Sequence, residues 1–152
     1  MKTWGIGYEK SKKQAKKIYS KIGHIRCPAL SNEYVSSSRI GFNHLIRKGR
    51  IPRTKNEQKR RFALLPYVEK IIKNPKAKIA YEQRDIKLKV NRHGEKIFIE
   101  SRANFWIFTK RINSCKIKVV IRQLENGDKK FFSVMGNNIT IGNEIVEKPK
   151  TL

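Results

Sequence analysis

Lys116-Ile117-Lys118-Val119-Val120-Ile121-Arg122-Gln123-Leu124-Glu125-Asn126-Gly127-Asp128-Lys129-Lys130-Phe131-Phe132-Ser133-Val134-Met135 decides the fold class. Two strand-like runs flank Asn126-Gly127, a dipeptide suited to the positive φ angles of a tight type I′ turn, so the stretch predicts a β-hairpin. Centring the turn there sets Ile121 opposite Phe132 and Val119 opposite Val134, which with Ile117 make one apolar face. The other face then carries Lys118, Val120 and Arg122 against Phe131, Ser133 and Met135, with Ser133 across from Val120 and a cation at each diagonal. Such a face is either an ordinary solvated surface or a phosphate site, in which the cations hold the charge and Phe131 meets a base or sugar.

Upstream of the hairpin, the texture from Pro75 onward is that of strands, near Lys78–Gln83, Lys87–Val90, Lys96–Ile99 and Phe105–Lys110. Asn91-Arg92-His93-Gly94 reads as a turn between them. Before Pro75 the texture is helical. Tyr8, Ala15, Ile18, Tyr19 and Ile22 are spaced among lysines as on an amphipathic basic helix. Pro28 breaks the chain. Ser36-Ser37-Ser38 offers N-caps to a helix over 39–48, with Gly49 as its stop and with His44, Arg47 and Lys48 on the polar face. Thr54 and Glu57 form a T-x-x-E capping box ahead of a stripe of Phe62, Leu65, Val68 and Ile72, with Pro66 placed to kink that helix. Helices followed by an antiparallel meander of four to five strands define an α+β fold. The chain reads as a single domain, with a basic helical segment over 1–30, a core over 34–136 and a tail over 137–152.

Charge narrows the function. Lys and Arg number 36 against 12 Asp and Glu, a formal net charge of +24 over 152 residues. The cations are interleaved with apolar residues, so the charge sits on a folded surface and not on a disordered basic tail. A surface this positive suits a polyanion, and nucleic acid fits because each neutralised phosphate releases counterions. The chain has no apolar run long enough to span a membrane as a helix and no secretory signal pattern at Met1. Cys27 and Cys115 match no C-x-x-C spacing and read as two reduced thiols.

Catalytic chemistry is constrained in the same way. His24, His44 and His93 lack metal-ligand spacing, no phosphate-binding G-x-x-x-x-G-K loop occurs, and Asp85-Ile86-Lys87 is a weak metal-nuclease triplet, so neither metal nor cofactor is expected. RNA cleavage requires neither, because the 2′-hydroxyl is an internal nucleophile that needs a proton acceptor, an acid for the leaving oxygen, and cations around the phosphate. His44, among Arg47, Lys48, Arg50 and Arg53, is the candidate for proton transfer. The alternative for His44 is an ordinary surface histidine.

Gly41-Phe42-Asn43-His44-Leu45-Ile46-Arg47-Lys48-Gly49-Arg50, then Gln58-Lys59-Arg60-Arg61, Leu64-Leu65-Pro66, Lys118-Val119-Val120-Ile121-Arg122 and Phe131-Phe132-Ser133-Val134, resemble the phage, mobile-element and contact-dependent toxin members of the barnase, EndoU, colicin and RelE-like nuclease group. The resemblance spans about Tyr34 to Gly136. It implies a metal-independent RNA endonuclease of the kind found as tRNA-cleaving toxin domains, which leaves a 2′,3′-cyclic phosphate. It further implies catalytic roles for His44, Arg122 and Ser133, and substrate binding by Arg47, Lys48, Arg50, Arg60, Arg61, Lys118 and Phe131. The EndoU branch pairs two histidines with a lysine, and this chain departs from it, since His93 falls on a turn. Relatives in the group act in the cytoplasm, many after delivery into a target cell within a larger toxin, and such domains have an acidic immunity or antitoxin protein as partner. A non-catalytic nucleic-acid-binding accessory protein of a phage or mobile element is the competing reading, and a domain that docks on an acidic protein is the third.

Overall fold

The computed structural model describes residues 7–137, together with the backbone of 140–141 and 144–145. Three helices, a mixed six-stranded sheet and a separate two-stranded pair make up most of the described body. In chain order these are α1 (Tyr8–Ile22), β1 (His24–Cys27), β2 (Glu33–Ser36), α2 (Arg39–Ile46), β3 (Arg47–Lys48), β4 (Ile51–Pro52), α3 (Lys55–Lys73), β5 (Lys78–Arg92), β6 (Glu95–Ile112), β7 (Cys115–Leu124) and β8 (Lys129–Asn137). The sheet order is β1-β2-β8-β7-β6-β5. All neighbours are antiparallel except β2 and β8, which run parallel through Val35↔Lys129 and Ser36↔Lys130.

The α+β class holds, but the arrangement departs from helices first and a sheet of four to five strands after. Two short strands precede α2, and the four segments expected over 78–110 are only two long strands. β5 pairs with β6 from Lys78↔Thr109 to Arg92↔Glu95 without a break. His93 and Gly94 join them with φ of 51° and 81°. Positive φ at both centre positions is what a type I′ turn requires, so that turn falls here.

The turn after β7 is different. Glu125 takes φ 48°, and the Gly127 N–H donates to the Leu124 carbonyl at 2.8 Å, so Glu125-Asn126 occupy the centre. The expected register holds from Lys116↔Asn137 to Val120↔Ser133, then shifts at a bulge, and Ile121 faces Phe131. Phe132 is the residue left without a partner, as a bulge demands. Phe131 therefore turns into the main core, 1% exposed. The expectation that it meets a base or sugar is corrected, and Phe132 takes the outer position.

The main core lies between α1, α3 and one face of the sheet, where Leu65, Val68, Ile71 and Ile72 meet Phe108, Val119, Ile121 and Val134. Fully burying a side chain of this kind is worth about 1.5–3 kcal/mol. α1 spans the residues its spacing predicts, and Ala15, Tyr19, Ile22, Ile25 and Cys27 are all buried in that core, so residues 8–27 are integral to it. Cys27 and Cys115 are free thiols. α3 runs through Pro66, and the Thr54 hydroxyl accepts from the Glu57 N–H at 3.1 Å, the first half of the expected capping box. α2 ends at Ile46, not Lys48. Arg47 and Lys48 instead pair with Pro52 and Ile51 in a small finger that turns at Gly49, φ 64°.

Beyond Lys130, β8 has no strand partner on the side away from β7 among the described residues, and α2 covers that edge. Contact is close because Gly41 has no side chain: a Cβ there would stand 2.6 Å from the Phe131 carbonyl oxygen and would also strike the Tyr19 hydroxyl. That hydroxyl donates to the Ser38 carbonyl and accepts from the Ser38 N–H at 2.9 Å, tying α1 to the start of α2. Gly41→Ala is expected to lower stability by about 1–3 kcal/mol through overpacking, measured as a reduced urea midpoint.

Candidate nucleic-acid site

The bulge and the end of α2 bring His44 beside Phe132, with ring centroids 4.4 Å apart. The Arg122 guanidinium lies over Phe132 at 4.4 Å, and Phe105 meets Phe132 edge-on at 5.9 Å. Arg61, projecting from α3, is 6% exposed. Its Nη1 donates to the Val134 carbonyl at 3.0 Å and to Ser133 Oγ at 3.3 Å, while its Nε pairs with Glu57 Oε1 at 3.3 Å. Glu57 therefore serves Arg61, and does not complete the capping box. Arg53 closes the base of the finger: its N–H donates to the Ile46 carbonyl at 2.8 Å and its Nε to the His44 carbonyl at 3.1 Å. Gln58, buried, donates to the Arg53 carbonyl at 2.7 Å and accepts from the Tyr8 hydroxyl.

The resulting electrostatics are unusual for a surface histidine. Burial, then Arg53, Arg61 and Arg122, pull the His44 imidazole down to a pKa of about 4. It is thus neutral at pH 7. Its Nδ1 is buried and has no hydrogen-bond partner. Burial also lowers the pKa of all three arginines, and Arg53 further lowers that of Arg61 against the opposing pull of Glu57. Guanidinium groups stay charged in proteins, so three cations and one carboxylate leave this site positive. An anion bound beside these cations would relieve their repulsion.

Of the residues singled out from sequence, His44, Arg61 and Arg122 meet. Ser133 is next to them but 0% exposed, and its hydroxyl holds Arg61. A direct catalytic contact by Ser133 is corrected to that positioning role. Arg47, Lys48 and Arg50 lie exposed on the finger, off the helix face expected for them. Arg60 is half-buried on α3 but, one residue along a helix, turns about 100° away from Arg61. Lys118 is four residues from Arg122 along β7, about 13 Å at ordinary strand rise. None of these five is among the charges acting on His44. Arg53 as a neighbour of the histidine was visible from its closeness in sequence, whereas Phe132 and Phe105 carry no sequence signal.

No three His, Cys, Asp or Glu side chains gather as metal ligands among the described residues. Asp85 pairs with Arg102 on the exposed surface. No helix among the described residues is long and apolar enough to cross a membrane. No protein-family model, curated protein or solved structure matches the chain.

The low pKa of His44 has a consequence for stability. Between about pH 4 and the unfolded value near 6.5, the unfolded chain binds the proton and the folded chain does not. Stability from this group is present above pH 6.5 and is lost as pH falls toward 4. The urea midpoint of the wild type is expected to fall more steeply from pH 6.5 to 4.5 than that of His44→Gln, measured side by side.

Proposed function

We propose that this chain is a metal-independent RNA endonuclease that cleaves by 2′-hydroxyl transesterification, with tRNA as the substrate to test first. The observation that carries the reading is the neutral His44 imidazole, its Nδ1 unpartnered, amid Arg53, Arg61 and Arg122. With a scissile phosphate among the guanidiniums, His44 takes the proton of the 2′-hydroxyl. The 2′-oxygen bonds to phosphorus, the bond from phosphorus to the 5′-oxygen breaks, and the leaving oxygen receives a proton from solvent. The cations stabilise the charge that develops on the non-bridging oxygens, and a positioned base of this kind contributes typically about 10²–10⁴-fold. The product strand ends in a 2′,3′-cyclic phosphate. The nuclease group that the sequence resembles extends this proposal to delivery into the cytoplasm of a target cell and to an acidic immunity protein able to cover the cationic site.

A second reading, a nucleic-acid-binding module without catalysis, is favoured by the burial of Ser133, since that hydroxyl is then not free to serve as a second proton donor beside His44. The two readings separate on one gel. Wild-type protein incubated with total tRNA in EDTA is expected to give discrete fragments with cyclic-phosphate ends, and His44→Ala to cut at least a hundredfold more slowly while shifting tRNA on a native gel as before. Intact tRNA that still shifts with the wild type would establish the binding module instead.

A further inference from the structure

Arg84 lies on β5, across two strands from Arg122, and its surroundings repeat those of Arg122. Its guanidinium sits over Phe105 at 4.3 Å, as that of Arg122 sits over Phe132 at 4.4 Å, and the two rings touch edge to face. The register places Glu82 opposite Phe105 and Phe105 opposite Arg122, so both arginines occupy the same sheet face. Strand spacing and rise put their Cα atoms about 12 Å apart. Glu82 pairs with Arg84 Nη2 at 2.7 Å, which holds the group flat, while Nε of Arg84 is buried without a hydrogen-bond partner.

A guanidinium clamped on a phenyl ring presents its other plane outward. Bases of unpaired RNA stack on such planes, and the flat cation also meets the backbone between them. Phe105 is 3% exposed and cannot itself be a platform, whereas the Arg84 side chain is 39% exposed. Beside Arg122, a cleft of about 170 Å³ lined by Ile40, Phe132, Lys130 and Ser38 gives room for a base at the other end.

We propose that Arg84 on Phe105 is a second stacking subsite which, with Arg122 on Phe132, holds two bases of single-stranded RNA across the sheet. The proposal rests on the RNA reading above and supplies its substrate class: unpaired RNA, as in a loop, in preference to duplex. A lysine would keep the charge at 84 but lose the plane, so Arg84→Lys separates stacking from simple attraction.

The test uses the whole chain and a fluorescent 2′-O-methyl oligonucleotide, which cannot be cleaved, as a single strand and as a duplex, by anisotropy. Arg84→Gln is expected to weaken single-strand binding about tenfold and duplex binding less than twofold, with Arg84→Lys as weak as Arg84→Gln on the single strand. Urea midpoints confirm that both variants fold. Binding of Arg84→Lys equal to wild type, no loss in Arg84→Gln, or equal losses on both ligands would overturn the subsite. Because no cleavage is read, absence of ribonuclease activity would leave this result standing.

Discussion

Arg61 is the joint on which the described body turns. One guanidinium links α3 to the open edge of β8 through the Val134 carbonyl and the Ser133 hydroxyl, with Glu57 as its only ion-pair partner among the described residues. An unpaired strand edge is a liability that proteins cover, and here a charged side chain and the glycine face of α2 do so together. A buried cation with a single carboxylate is costly on its own, because desolvation opposes it. The same cost gives the site its character. The field that Arg61 adds to those of Arg53 and Arg122, after burial, helps to keep His44 neutral well below pH 7.

The bulge does the rest of the positioning. Leaving Phe132 unpaired sends Phe131 into the core against Tyr19, with ring centroids 5.7 Å apart, and frees Phe132 to bridge His44, Phe105 and Arg122. The aromatic pair thus divides between stability and site. Bulges recur beside functional sites because they re-aim one side chain without disturbing the strands on either side, and β7 and β8 keep their expected register on the far side of this one.

Legibility in the sequence follows the range of the forces involved. α1, the Thr54 cap and the stripe of Phe62, Leu65, Val68 and Ile72 were readable because helix periodicity and capping are local. The division of β5 and β6 into short pieces was misread because charged residues such as Arg84 and Asp85 interrupt the apolar pattern where one face of a long hairpin meets solvent. The bulge leaves no mark in the alternation around Phe131-Phe132, so sequence alone places the two rings on the wrong faces. The finger reads as helix in the sequence because Arg47 and Lys48 before Gly49 mimic a basic helix end. At the site, His44, Arg61 and Arg122 were found as residue types, whereas Ser133 was given a direct role that its burial denies it.

Burial and three guanidiniums pull the pKa of the His44 imidazole down, and this coupling ties the histidine to any anion bound at the site. The most direct test of that coupling is an NMR titration of the His44 imidazole, alone and with a saturating 2′-O-methyl oligonucleotide. The free pKa is expected near 4, rising at least halfway to the ordinary histidine value when the ligand neutralises the charge of the nearby arginines. An ordinary value near 6.5 in the free protein, or a low value that the ligand leaves unchanged, would contradict it.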